Sequence, residues 1–561
     1  MLQVACATPY IDSRHPISAP MKRILPSMIV LFAATLIPAT ACAKRMAPAP
    51  SNGAYVLHPR RYRHYVREFM HQQVEATGKQ PTDPWPWMLA NIPWFSSSNK
   101  QFEEMYYFRW YAFQKHVVKT PTGYVITEFL PHVKWGGYYN TISDSAPHQL
   151  YESRWLRNTA IAKQDARFWM SPLAKPRQYS NWLANAIRAV TLADGDRKLG
   201  VELLPALRAN HQAWVKTHED PNGLFWSIDT RDAMEKSISG NGYRPTLNSY
   251  MYGSDIAIAA IARDADQPAI ARKYAAAARV LRDRIEKYLW NPKAQFYEVR
   301  QPRGPISKTH FADVRELIGY IPWYFNIPAR SHAVAWSQIF NPGGFAGKYG
   351  PTTAERRSPR FNFKNPDKCK WNGPSWPFAT TQTLVAMANV ENNQPHQPYA
   401  THADYYRLFS NYVRGQHLRL PSGQVIPWID EDLNADTDEW ITRTILMRRH
   451  SPMAGRGNYY DHSGFADPLI TGLIGLRPRE GNRIVIHPLL PAGQWSWFAI
   501  DGLPYHGHLL TIVYDSTGNH YHVGRGLSLF VDGRKRASRA TLGPLSYRLR
   551  TAPQAGTTPQ E

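Results

Sequence analysis

The sequence predicts a mainly α-helical body built from repeated helix hairpins, followed by a small β domain. Three observations carry this. Apolar residues recur at three-to-four spacing from about Tyr55 to Pro478. The helical stretches are separated by loops rich in Pro, Gly and Asn, such as Asp220-Pro221-Asn222-Gly223 and Asn341-Pro342-Gly343-Gly344. After Arg479 the hydrophobic period shortens to that of strands.

The N-terminus comes first. A leader precedes Met21-Lys22-Arg23, an apolar run from Ile24 to Ile37 and the small-x-small pattern Ala41-Cys42-Ala43. That is the layout of a signal peptide with cleavage after Ala43, so residues 1–43 are expected to be removed and the protein to be periplasmic or secreted. The run is too short for a stable membrane span. Lipidation of Cys42 stays open. Residues 44–54 read as a Pro- and Ala-rich linker.

The body spans residues 55–478. Expected helices run over Trp182–Ala193, Lys198–His218, Asn248–Ala265, Gln267–Trp290, Ala329–Phe340, Trp376–Val390, His402–Gly415 and Trp440–Arg449. No repeat of fixed period is visible, which argues against a regular solenoid and leaves a closed toroid or an irregular bundle. The β domain, 479–551, is expected from runs at Arg483–His487, His508–Tyr514 and Leu527–Val531, with a disordered tail over 552–561.

Composition narrows the partners. The chain holds 19 Trp, 31 Tyr and 21 Phe, an aromatic content of 13%. Rings in that number serve a large core or stack on the apolar faces of sugars. The formal net charge is +23, yet the basic residues are spread along the chain and no nucleic-acid-binding motif accompanies them. Of three cysteines, Cys369 is the one left after the expected cleavage, so no internal disulfide is available.

Two loops concentrate carboxylates. One is Trp226-Ser227-Ile228-Asp229-Thr230-Arg231-Asp232-Ala233-Met234-Glu235; the other is Trp428-Ile429-Asp430-Glu431-Asp432 running on to Asp438-Glu439-Trp440. Crowded acids raise one another's pKa, as a general acid requires, and a glycosidic bond is broken by one carboxylic acid and one carboxylate acting together. Between the loops lies Lys370-Trp371-Asn372-Gly373-Pro374-Ser375-Trp376-Pro377, where Gly-Pro fixes the backbone before a helix and two indoles meet at a loop end.

The Trp371–Pro377 segment resembles the W-x-G-P-x-W-P stretch of glycoside hydrolase family 63 and the mannosylglycerate hydrolases, within the trehalase-like six-hairpin glycosidases. Trp226–Asp232 is similar to that family's general-acid loop, with a residue inserted, and Glu431–Asp438 to the segment carrying its base. Tyr106–Trp110, Glu128–Pro131, Tyr151–Leu156 and Tyr460–Asp467 resemble the bacterial branch. The resemblance implies an (α/α)6 toroid and an inverting glycosidase for a carbohydrate substrate, with an α linkage expected. Asp232 would be the general acid, with Asp229 or Glu235 as alternatives, and Glu431 the general base. Trp226, Trp371 and Trp376 would wall the sugar site, with Arg154, Arg231, Asn372 and His462 contacting substrate. No cofactor is implied: some relatives bind calcium, but no oxygen set here has the spacing of a calcium loop. A lyase drawing its groups from the Tyr459-Tyr460-Asp461-His462 stretch, a phosphorylase and a silent sugar-binding protein remain as alternatives; neither nucleic acid nor stable membrane insertion is expected, and oligomeric state is unassigned.

Overall fold

In the computed structural model, residues 56–364 and 369–549 are described; the expected signal peptide, linker and C-terminal tail lie outside them. Helices form where the sequence spacing places them. Lys198–His218 is a helix over the expected residues, and Leu183–Asp194 stops where Gly195 adopts φ 76°, a left-handed cap that glycine accepts without steric cost. Prolines open Pro245–Asp264, Pro268–Leu289 and Pro377–Asn393 in the first turn, where a missing N–H costs nothing. Thr401 and Asp404 close a reciprocal capping box at the head of His402–Arg414.

Burial sorts these helices into two kinds. Pro268–Leu289 buries one stripe, Ala271, Tyr274, Ala278, Leu281, Ile285 and Leu289, and lays it on Pro245–Asp264. The latter is buried on nearly every side, as is Pro377–Asn393. A wholly buried helix needs neighbours all round, so these two form an inner layer. Ala146–Ser153, Leu183–Asp194 and Pro245–Asp264 pack in succession, and Pro377–Asn393 packs on His402–Arg414. One expected α-helix differs: Arg330–Gln338 winds as a 3-10 helix.

The aromatic excess mostly fills this core. Trp110, Trp155, Trp169, Trp182, Trp323, Trp336, Trp428, Trp440 and Trp495 are fully buried. Among the described residues no helix is long and apolar enough to cross a membrane.

Six strands follow the last helical turn at Leu473, and one from the N-terminal part of the body joins them. They are numbered here β1 (Trp94–Ser97), β2 (Arg483–Ile486), β3 (Trp497–Tyr505), β4 (His508–Asp515), β5 (Gly526–Val531), β6 (Arg534–Arg539) and β7 (Leu545–Arg548). The main sheet has the order β1-β3-β4-β5-β6, antiparallel throughout, and β2 pairs with β7. The strand β1 was not expected from the sequence; it comes from the N-terminal part of the body and registers Trp94 opposite Asp501. It covers one edge of the sheet and ties the β region to the helices.

Candidate active site

Each acidic loop is shaped by its own backbone. In the first, Trp226–Ser227 pairs with Gly242–Tyr243, and a 3-10 turn over Asp229–Asp232 ends at Ala233 in a left-handed conformation, φ 56°. Asp229 caps the turn by accepting from the Thr230 N–H at 2.7 Å and the Lys236 N–H at 3.1 Å. This reversal sends Asp232 and Glu235 in different directions. Asp232 points into the protein, with no side-chain exposure. Its carboxylate accepts from Arg244 Nε at 2.7 Å and from the hydroxyls of Thr246 and Ser180. Glu235 lines a cavity instead. Its carbonyl accepts from the Trp371 N–H at 3.1 Å, which ties the acid loop to the tryptophan motif.

The second loop presents one acid and turns its neighbours onto backbone and ring donors. Asp430 accepts from the Glu431 N–H at 3.0 Å and from Trp428 Nε1 at 3.3 Å; Asp432 accepts from the Thr442 N–H at 3.1 Å. Burial pushes Asp430 up to about 6 and Asp432 to about 7. Glu431 is gripped at both oxygens by Arg456, Nε at 2.6 Å and Nη2 at 2.7 Å, and accepts from Cys369 Sγ at 3.2 Å. A reciprocal pair of backbone hydrogen bonds between Ser375 and Leu433, at 2.8 and 2.9 Å, fixes the tryptophan motif against this loop as well.

The motif therefore bridges the two acids. Trp371 and Trp376 stack face to face, 4.7 Å apart and 9° from parallel. Gly373 makes the tight corner possible: a Cβ there would stand 2.8 Å from the Asn362 carbonyl oxygen.

The cavity has an empty volume of about 530 Å³, mouth included, and is walled by Trp371, Trp376, Trp135, Phe129 and Phe378. Four carboxyl groups face it: Glu128, Asp144, Glu235 and Glu431, with Arg456 as the cation. Burial pushes Glu235 up to about 8 and Asp144 to about 7. Burial, then the neighbouring Asp144, holds Glu128 well above the usual carboxylate range, while Tyr460 donates its hydroxyl to Glu128. His462 also lines the cavity, and burial, followed by His148 and Arg109, keeps its ring neutral. A larger hollow, about 1080 Å³ with its mouth, lies elsewhere, lined by Arg188, Arg197, Arg479 and His506 with Glu480 as its carboxylate; it offers no pair of acids. Among the described residues no group of three or more His, Cys, Asp or Glu is arranged to hold a metal ion.

Of the residues expected from sequence, the structure brings Glu431, Trp371, Trp376 and His462 together at the cavity. The others lie elsewhere. Asp232 is enclosed by Arg244, Thr246 and Ser180, which takes it out of the lining. Trp226 packs edge-on against Tyr243 at 5.1 Å. Arg231 is exposed and donates to the Gln178 carbonyl at 3.2 Å. Arg154 is held by Asp467, at 2.9 Å from Nε and 2.6 Å from Nη2, and lies over the Tyr151 and Trp155 rings. Asn372 gives its carbonyl to the Asn362 N–H and is absent from the lining. Glu128, Asp144 and Arg456 were not singled out as site residues, although Glu128 sits in a family-like stretch.

Ionisable carboxyls set against stacked indoles in one cleft suit the cleavage of a glycosidic bond. The chain belongs to the mannosylglycerate hydrolase MGH1-like glycoside hydrolase family, whose domain matches residues 138–463, more than half of the chain. Residues 476–536 match the C-terminal domain of glycosyl hydrolase family 65. A solved chain named "Sialidase" superposes with a TM-score of 0.81 at 39% identity, covering 88% of this chain and 45% of its own. This chain thus spans less than half the length of that relative. A GH63 mannosylglycerate hydrolase from Thermus thermophilus in complex with glucose gives a TM-score of 0.47 at 13% identity, covering 65% of this chain and 98% of its own. A GH78 rhamnosidase of Bacillus sp. GL1 gives 0.48 at 13%, covering 75% and 40%.

Proposed function

We propose that this chain is an exported, inverting glycosidase on an (α/α)6 toroid, cleaving an α-linked glycoside with Glu235 as general acid and Glu431 as general base. The supporting observation is that these two carboxyls, from different loops each tied by backbone hydrogen bonds to the tryptophan motif, line one cavity. The acid role expected of Asp232 passes to Glu235, the alternative three residues on, because Asp232 is fully enclosed by an arginine and two hydroxyls and does not line the cavity.

Glu235, raised by burial to about 8, holds its proton at neutral pH and gives it to the departing glycosidic oxygen. Glu431, fixed by Arg456, keeps a lone pair on each oxygen to accept a proton from water attacking the opposite face of the sugar. The proton lost at one carboxyl is regained from the other through solvent. Trp371 and Trp376 present the apolar wall. A lyase reading is weakened because Tyr460, the tyrosine of the Tyr459-Tyr460-Asp461-His462 stretch that lines the cavity, has its hydroxyl committed to Glu128 and its ionisation driven upward by burial.

Proton NMR of the first-formed sugar anomer tests the mechanism: inversion is expected, and a retained anomer rejects it. Export is supported by the Met21–Ala43 pattern and is tested by fractionating cells that express the full chain.

A further inference from the structure

The C-terminal sheet ends on an edge of positive charge. Its terminal strand is β6, where Arg534, Lys535 and Arg536 are exposed and Arg539 is half-buried. Strand side chains alternate between faces, but the pairing with β5 shifts between Leu529–Ala537 and Phe530–Lys535, which leaves Arg536 as the extra residue. Such a bulge re-aims side chains, and three consecutive cations reach solvent here. The neighbouring β7 packs on β6 and carries Arg548, which registers directly opposite Arg483 of β2. Like charges set opposite one another destabilise a strand pair. Arg525, next to the first residue of β5, is exposed as well.

The protein does not neutralise this cluster. Residues 476–549 hold four acids. Asp501 and Asp515 are buried, Glu480 is paired with Arg188 at 2.5 Å, and Asp532 with His508 at 2.7 Å. Lys535 and Arg539 donate to the carbonyls of Val523 and Pro544, and Arg483 to the Ser546 hydroxyl, acceptors that carry no charge. The hollow at Arg188 differs, because Asp264 and Glu480 balance Arg188 and Arg197 there. A few charges of either sign suffice to keep an edge strand from pairing with another sheet. Seven cations, none of them ion-paired among the described residues, exceed that use.

Clustered cations of one sign attract a polyanion. An anionic membrane and an acidic polysaccharide both fit the charge, and the side chains between the cations separate them. Binding to a membrane surface combines basic residues with apolar ones that enter the bilayer. Among the described residues, none of the exposed large apolar side chains falls within 476–549. Six of the seven cations are arginines, whose planar forks match carboxylates with two parallel hydrogen bonds. We propose that this basic edge docks an acidic polysaccharide bearing carboxylates along its length, and holds the enzyme on it. None of the seven cations lines the acid and base cavity, so the docking surface is a second site, separate from the one that cuts.

The test is binding of the full-length mature protein to sensor surfaces carrying polygalacturonate, unmodified dextran, or captured vesicles of phosphatidylcholine and phosphatidylglycerol. Polygalacturonate is expected to bind at least about tenfold tighter than either of the others, and to weaken about tenfold or more as salt rises from about 0.05 M to about 0.3 M. A variant combining Arg525→Gln, Arg534→Gln, Arg536→Gln and Arg548→Gln should lose about tenfold or more in affinity, and Arg534→Gln with Arg536→Gln alone about threefold. A control removes four exposed cations of the helical body, by Arg263→Gln, Arg272→Gln, Lys273→Gln and Arg279→Gln, and should lose less than about threefold. The proposal falls if polygalacturonate does not bind, or if dextran binds as well. Vesicles binding as tightly as polygalacturonate would make the edge a membrane-docking surface and overturn it. Equal losses in the control and in the β-region variants, each folded by circular dichroism, would trace the binding to net charge and overturn it too. Since binding is read without turnover, these outcomes are separate from the anomer assay that tests the inverting mechanism.

Discussion

Asp232 and Glu431 make an instructive pair. Both are buried, each is held by an arginine at 2.6–2.7 Å, and each sits in an acid-rich loop of similar appearance. Around Asp232 the remaining directions are filled by the Thr246 and Ser180 hydroxyls, and the side chain is fully enclosed. Around Glu431 they open on a cavity walled by indoles. Burial and an arginine therefore do not distinguish an enclosed carboxylate from one that faces a cavity; what occupies the remaining side does.

The largest effect that sharpens this contrast is expected for Glu431→Gln, which removes the base and should lower kcat about 10³-fold with the fold retained, measured on any active glycoside. Substantial turnover in that variant breaks the comparison. Glu235→Gln should cost about 10²- to 10³-fold. In the parent enzyme kcat/KM should decline as pH rises through about 8, since the acid works only while protonated. The same group makes stability depend on pH. Its folded pKa lies above the ordinary carboxyl value, so its contribution is complete below the unfolded pKa and is lost as pH rises through about 8. Thermal melts of Glu235→Gln should show a flatter fall over that window.

Asp232→Asn should leave the activity of the folded fraction in place while destabilising the protein by about 3 kcal/mol, because Arg244 keeps a buried charge without its counter-charge. A variant that melts like the parent but loses turnover would restore Asp232 to the chemistry. The smallest effect is expected for Cys369→Ala: losing one thiol contact to Glu431 is worth about 1 kcal/mol, less than about tenfold in kcat/KM.

Much of the helical body is legible in the chain. Lys198–His218 and His402–Arg414 carry unambiguous apolar spacing and end signals, so local rules suffice. Arg330–Gln338 reads as an α-helix and winds as 3-10, a difference of hydrogen-bond register that periodicity over nine residues does not resolve. β1 was invisible because four residues pair with a strand some 400 positions away. In the site, Trp371 and Trp376 were legible because a rigid Gly-Pro corner leaves their placement little freedom, and Glu431 because its segment resembles the one that carries the family's base.

The sequence by itself determined the class of molecule: helical hairpins, a terminal β region, two acid loops and the tryptophan motif between them. These follow from spacing and backbone preference, which act over a few residues. Only the tertiary structure decided which acid faces the cavity. A left-handed residue at Ala233 reverses the chain between Asp232 and Glu235, and Ser180, Arg244 and Thr246, from other parts of the chain, close around the first and leave the second to the cleft. The partners that settle a carboxylate's role are supplied by the folded whole, and no local pattern names them.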